Sequence, residues 1–581
     1  MTAVADRLPR WVRVLLGVVC VVAGVVLVTR PFTSLSVLIV LVAVAAIVTG
    51  VTRWIAARRT VGRLDDVVAV AWIALGVAVL VWPDLSVRGV AVFVGVAMVV
   101  GGVADLVGGF RGTVDERLAS ILKGVASVIF GVLALAWPDV TLLVVAVVFG
   151  ARTVLFGLSE LITAVRGPAA GDELEAPKRR GAVRRWLSVA GAAIALIVAL
   201  VLGGVSAKLH EGEPTVDAFY TAPAEVPAEA GALLRIEPFT REIPEGAVAW
   251  RILYTTTRDD GVPATASALV VARSAPASEP RPVIAWAHGT TGVARNCAPS
   301  LLAEPMESGA FYALDGVLEQ GWVLVATDYI GLGSEGPHPY LIGQPSGRSV
   351  LDAVRAAKQL DDLRLRDQTV VWGHSQGGGA ALWTGQLAPT YAPDVNVIGV
   401  AALAPAADVP SLVDNLYDSV GGSMFASYAV TGYAGTYPDV RFDEYVRPTA
   451  RTVVRELAAR CLGEPAALVS VLASITTGMS AFNTDLSSGA LGEHLVANVP
   501  GGPFEMPVLI GQGAADTLIT PDVVAAYAER LCATGADVDY RSYDGKDHVG
   551  LVAADSPLLP ELVTWTQQRF DGDPAPTTCT S

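Results

Sequence analysis

Apolar residues divide this chain into two regimes. Up to about residue 205 they form long blocks, at 12–28, 35–52, 67–82, 87–108, 121–137, 140–163 and 186–205. Each block approaches the length that a hydrocarbon core of about 30 Å demands of an α-helix. Beyond residue 206 the apolar runs shorten and take on strand character: Trp250–Thr257, Ala266–Ala272, Val283–Ala287, Trp322–Thr327, Thr369–Trp372, Val397–Leu403 and Pro507–Ile510. Helical patterns separate them at Ser349–Leu360, Gly378–Leu387 and Pro521–Leu531. Such alternation predicts a parallel sheet covered on both faces. Residues 409–500 break it. They are helix-like, rich in Ser, Gly and Tyr, and read as a cap.

The apolar half carries an internal repeat. Gly24 to Pro31, Gly76 to Pro83 and Gly131 to Pro138 share one Gly/Pro frame, so each unit reads as a helical hairpin about a Pro turn. Three hairpins fill residues 1–167. A basic loop and a seventh helix occupy 168–205, and a Pro-, Ala- and Glu-rich spacer follows at 206–235. Arg and Lys cluster before the first block and in alternate loops, so the positive-inside rule puts the N-terminus in the cytoplasm. Seven crossings then place residues 236–581 outside the cell membrane. Asp105 and Glu160 lie near helix ends, where solvated anchors are expected.

Charge and composition sharpen this division. Residues 1–205 hold 19 Lys and Arg against 12 Asp and Glu, and the remainder holds 22 against 44. Mean hydropathy is +0.50, above that of a soluble enzyme. The acidic half has no basic patch, which excludes nucleic acid as a partner. No His, Cys or carboxylate cluster has metal-ligand spacing, and no cofactor motif is present. Cys20 lies in an apolar block. Cys297, Cys461, Cys532 and Cys579 lie in the acidic half, where an extracytoplasmic setting favours disulfides.

The chemistry concentrates at Gly373-His374-Ser375-Gln376-Gly377, between a strand-like run and a helix-like one. A Gly-x-Ser-x-Gly in that context is a nucleophile elbow, with Gly where the chain turns too tightly for side chains. The base must come from six histidines. His210 sits beside the membrane, His288 ends a strand, His338 lies between prolines, His374 is inside the elbow and His494 is in the cap. His548 follows the strand-like Val538–Tyr543, where a hydrolase base belongs. Asp516 lies between serine and histidine in the chain and completes the order Ser…Asp…His, although it could instead cap the helix beginning at Pro521. Asp544 and Asp547 are rivals too close in sequence to His548. For an oxyanion hole, the N–H of Gln376 is joined by that of Thr290, or of Thr291, from His288-Gly289-Thr290-Thr291-Gly292. Asp328-Tyr329-Ile330-Gly331-Leu332-Gly333 reads as a structural loop nearby.

Together these motifs resemble the secretory lipase family over about residues 215–575. The resemblance implies an α/β-hydrolase fold with a helical cap, the triad Ser375, Asp516 and His548, and carboxylic ester substrates including acylglycerols. It also implies disulfides pairing Cys297 with Cys461 and Cys532 with Cys579. Residues 8–167 resemble the HdeD-like membrane family, which is linked to acid-stress resistance. The expectation is a membrane-embedded extracytoplasmic lipase or esterase. The alternatives are an acyltransferase using the same triad, or a stress-related membrane protein whose outer domain only binds. Nothing in the chain sets acyl-chain length or oligomeric state.

Overall fold

A computed structural model describes residues 10–29, 83–108, 113–166, 179–210, 213–483 and 485–579, with isolated positions between 47 and 77. The chain divides into a helical unit reaching residue 211 and a larger unit holding most of the rest.

In the first unit the described helices are α1 (Arg10–Thr29), α2 (Pro83–Gly108), α3 (Val114–Ala136), α4 (Pro138–Arg166) and α5 (Arg179–His210). Helix α1 packs on α4 with Gly17 against Gly157 and Gly24 against Gly150. Helix α2 packs on α3 with Gly95 against Gly131 and Gly102 against Gly124. A Cβ at Gly17, Gly24, Gly95, Gly102, Gly124, Gly131 or Gly157 would lie within 3.0 Å of the facing helix, so the backbones approach as small residues allow. Three described helices are long and apolar enough to cross a membrane: Val114–Ala136, Pro138–Ala164 and Trp186–His210. The expected spans at 12–28 and 87–108 are also helical, and those at 35–52 and 67–82 lie largely outside the described residues. Asp105 pairs with Lys123 at 3.0 Å. Glu160 departs from the solvated anchor expected, since one carboxylate oxygen is buried without a partner among the described residues.

The second unit is built on a nine-stranded sheet in the order β1-β2-β3-β5-β4-β6-β7-β8-β9. Strands β1 (Leu233–Phe239), β2 (Ala247–Thr257) and β3 (Pro263–Arg273) are antiparallel, and β3 meets β5 (Val323–Thr327) antiparallel. From there β4 (Arg281–Ala287), β5, β6 (Leu365–His374), β7 (Asn396–Leu403), β8 (Val508–Gly513) and β9 (Val538–Tyr543) all run parallel. Buried residues alternate between two layers. Val283, Ala285 and Ala287 face one side of β4, and Ile284 and Trp286 the other. Helices α6 (Gly343–Ala357), α7 (Gln376–Tyr391) and α12 (Pro521–Ala533) cover the first side, and α13 (Leu558–Asp571) the second. The expected cap carries α8 (Val409–Asn415), α9 (Gly422–Thr436), α10 (Ala467–Thr477) and α11 (Gly489–Ala497).

The stretch expected to be a spacer, 206–235, is short as a spacer. Helix α5 continues to His210, and by Phe219 and Tyr220 the chain is buried in the second unit. The Tyr220 hydroxyl bonds Ser300, Arg235 donates to the Phe219 carbonyl, and β1 has already begun at Leu233. Pro, Ala and Glu mark a linker by composition, but two aromatic rings in that stretch outweigh it by burying their area.

Candidate active site

The site assembles at the carboxyl ends of β6, β8 and β9, the end of a parallel sheet where ligands gather. Ser375 joins β6 to α7 with φ +58° and ψ −121°, a strained conformation for a non-glycine residue. The flanking glycines make the turn possible. A Cβ at Gly377 would lie 1.9 Å from the Ala287 carbonyl oxygen, and one at Gly373 2.0 Å from that of Gly377. No L side chain fits either position. The hydroxyl is held proud of the sheet, and the Gln376 N–H opens helix α7 at the positive end of its dipole.

The Ser375 hydroxyl donates to Nε2 of His548 at 2.9 Å, and Nδ1–H of His548 donates to Oδ2 of Asp516 at 2.7 Å. The structure thus brings together the three residues read from chain order. Asp516 also serves the turn ahead of α12, accepting from the N–H groups of Leu518 and Ile519, both at 2.9 Å. The capping reading and the histidine-partner reading therefore hold at once, one oxygen for each. Burial pushes the Asp516 carboxyl up, but the bond and charge of His548 and the two backbone donors outweigh it and leave the pKa below the usual carboxylate value. Of the rivals, Asp547 accepts from the Gly550 N–H in its own turn, and Asp544 is exposed.

Thr290, Ser375 and Gln376 line one narrow pocket with Tyr340, Leu412, Val413, Leu416, Phe425 and Ala429. Helices α8 and α9 of the cap supply its apolar wall, and the Thr290 hydroxyl bonds that of Tyr340 at 2.9 Å. Thr291 is fully buried and its hydroxyl donates to the Cys297 carbonyl, so Thr290 is the residue of the pair that reaches the pocket.

Sequence reading missed three histidine roles. The ring of His374 lies 4.8 Å from that of His548, and its Nε2–H donates to the His548 carbonyl at 2.9 Å, supporting the loop that carries His548. His338 donates from Nδ1 to the Ile330 carbonyl and accepts at Nε2 from the Gln376 amide at 3.0 Å. His288 bonds the Gly289 carbonyl through Nδ1. Burial pushes the pKa of His288 down to about 4 and those of His338 and His374 to about 3, with the nearby His548 adding to the shift at His374. All three are neutral tautomers fixed by carbonyls. Only the position of His374 beside Ser375 signalled this in advance.

Asp328 is structural, as its motif suggested. It is fully buried and accepts from Ser267, from the Ser300 hydroxyl and from the Ser300 N–H, tying β3 and β5 to the 3-10 turn at Pro299–Leu301. Disulfides join Cys297 to Cys461 and Cys532 to Cys579, and Cys20 is free. The first ties the loop after β4 to the cap.

Comparison with known proteins agrees with this arrangement. The secretory lipase family model matches residues 308–578, and a short repeat of unknown function matches three times, at 15–65, 67–128 and 122–203. Lipase A of Moesziomyces aphidis is 23% identical over 66% of this chain and 86% of its own length. A protein of Mycobacterium tuberculosis named as a probable inactive lipase is 26% identical over 62% of this chain and 83% of its own length. The closed-state crystal structure of Candida antarctica lipase A superposes with a TM-score of 0.55 at 22% identity, covering 63% of this chain and 88% of that one, and shares the fold. With an α/β-hydrolase fold and a match to the secretory lipase family model over residues 308–578, the chain is a carboxylic ester hydrolase.

Proposed function

We propose that this chain is a membrane-anchored lipase or esterase whose catalytic domain faces outward, with Ser375 as nucleophile, His548 as general base and Asp516 as its orienting carboxylate. The observation that carries this reading is the unbroken chain of hydrogen bonds from Asp516 through His548 to Ser375. His548 takes the serine proton as Oγ attacks the ester carbonyl. The N–H groups of Thr290 and Gln376 hold the tetrahedral oxyanion. His548 returns the proton to the leaving alcohol, and water, deprotonated by the same ring, releases the acid from the acyl-enzyme. The apolar wall formed by α8 and α9 suits an acyl chain.

Anchoring rests on the three spans and on the basic loops that put the N-terminus in the cytoplasm. With seven crossings the hydrolase lies outside. Disulfides at both ends of that domain fit an oxidising compartment.

The test is hydrolysis of p-nitrophenyl esters of increasing chain length by the full chain in nanodiscs, beside Ser375→Ala. Loss of the serine should lower kcat/KM by roughly three orders of magnitude or more. Equal turnover in parent and variant would remove Ser375 from the reaction.

A further inference from the structure

The Gln376 side chain lies beside Ser375 and is only 3% exposed. A chain of hydrogen bonds fixes which way its amide points. The Ile330 carbonyl can only accept, so Nδ1 of His338 carries the proton in their 2.9 Å bond. Burial keeps that ring neutral, so its Nε2 has a lone pair and no proton. The group of Gln376 that stands 3.0 Å from Nε2 is therefore the donating NH2. The amide oxygen, Oε1, is left at the other end of the group. It is buried and has no partner among the described residues. The polar side chains around it are occupied. In the pocket beside Ser375, the serine donates to His548, and the Thr290 and Tyr340 hydroxyls bond each other. In the small adjoining cavity that Gln376 also lines, Ser346 donates to the Ile342 carbonyl and Asn498 accepts from the Gly343 N–H. A buried amide oxygen without a donor is uncommon, because its desolvation goes uncompensated.

We propose that Oε1 of Gln376 accepts a hydrogen bond from a free hydroxyl on the ester substrate, which makes this side chain a specificity determinant. Gln376 lines the pocket, so a donor brought in with the substrate can meet it there. Its amide is held by His338 and cannot turn the NH2 inward, so the position accepts a hydrogen bond and does not offer one. The rest of the lining is apolar apart from Ser375 and the bonded pair of Thr290 and Tyr340, so no other acceptor there is without a partner. An ether, carbonyl or phosphate group brings no proton to such an acceptor. An ammonium group would be desolvated in a lining that holds no carboxylate. A hydroxyl is the neutral donor that fits. Oε1 lies only a side chain's length from the N–H of the same residue, which would hold the oxyanion, so the hydroxyl stands a few carbons from the ester carbonyl. Two sources share this chemistry: the alcohol half, as in a partly esterified polyol, or the acyl half, as in a β-hydroxy acid. That the donor belongs to an ester rests on the hydrolase reading above.

The test uses two pairs of esters that differ by a hydroxyl in place of a methyl: hydroxyethyl butyrate against propyl butyrate, and propyl β-hydroxybutyrate against propyl isovalerate. Dissociation constants are measured by ligand-observed NMR on the full chain in nanodiscs carrying Ser375→Ala, in which no serine can attack the bound ester. One hydroxy ester should bind about tenfold more tightly than its methyl twin, and the pair that shows it tells the alcohol source from the acyl source. Adding Gln376→Met removes the acceptor and should bring the ratio close to one. Adding His338→Phe frees the amide to turn, and should lower the ratio by the same route if the first variant does not fold. Equal constants within both pairs would overturn the proposal. So would a preference unchanged by these substitutions, which would move the hydroxyl to Thr290 or Tyr340. Turnover of the four esters by the parent separates the two readings. A binding preference without turnover keeps the acceptor and removes the hydrolase; turnover without a preference does the reverse.

Discussion

Lowering the pH from 7 to 5 should destabilise the hydrolase domain steeply, because three of its histidines are buried as neutral rings. His288, His338 and His374 are almost wholly enclosed, and their folded pKa values lie at about 4, 3 and 3 against an ordinary 6.5. Below pH 6.5 the unfolded chain takes up protons that the folded chain refuses, so stability falls with pH down to the folded values. Between pH 7 and 5 each ring withdraws about 2 kcal/mol, and the three together about 6 kcal/mol. A typical domain has about 5–15 kcal/mol in all. Burial shifts the carboxyls of Asp328 and Asp352 upward, a shift whose effect on stability runs opposite to that of the histidines as the pH falls. The single-ring difference isolates the effect. His338→Gln keeps a polar side chain that can bond the Ile330 carbonyl and Gln376, but it cannot titrate. Denaturant unfolding of the full chain in nanodiscs, followed by near-UV circular dichroism at pH 7, 6 and 5, should show the drop in stability shrink by about 2 kcal/mol in this variant. An identical drop in parent and variant would refute the assignment of proton uptake to the buried ring.

Other perturbations should have sharper outcomes. Asp516→Asn keeps the shape but loses the charge and the tautomer control on His548, and kcat should fall on the order of 10⁴-fold in ester assays. His374→Phe removes the donor to the His548 carbonyl; kcat should fall by about tenfold with KM for short esters little changed, since the ring does not line the pocket. Gly377→Ala puts a methyl 1.9 Å from a carbonyl oxygen, so yield of folded protein should collapse even though the change is one carbon. Thiol titration after denaturation without reductant should find one thiol per chain, from Cys20. Breaking the Cys532–Cys579 bridge, which closes a separation of 47 residues, should cost roughly 4 kcal/mol in denaturant unfolding.

The candidate site was legible in the sequence because its signals are local. An elbow serine needs glycines at fixed offsets, and the order of serine, carboxylate and histidine follows from the order of the parallel strands. The β-strands were legible from burial on both faces, which leaves continuous apolar runs. Strand β1 was not, because Leu233–Phe239 includes Arg235, Glu237 and Pro238 and lies at a sheet edge with little apolar signal. The buried histidines were illegible for another reason. Their partners are backbone carbonyls, at Ile330, Gly289 and His548, brought together only by the fold. The orientation of α10 was equally hidden. Its sequence has a clear apolar stripe, but only the packed structure turns that stripe outward.

The most direct test of the central claim is covalent. The full chain would be treated with a p-nitrophenyl alkylphosphonate, which stops at the tetrahedral adduct, and its peptides mapped by mass spectrometry. One phosphonyl group per chain on Ser375, lost in His548→Ala, is the result predicted. A stoichiometric adduct on another residue, or labelling of Ser375 at full rate without His548, would contradict it.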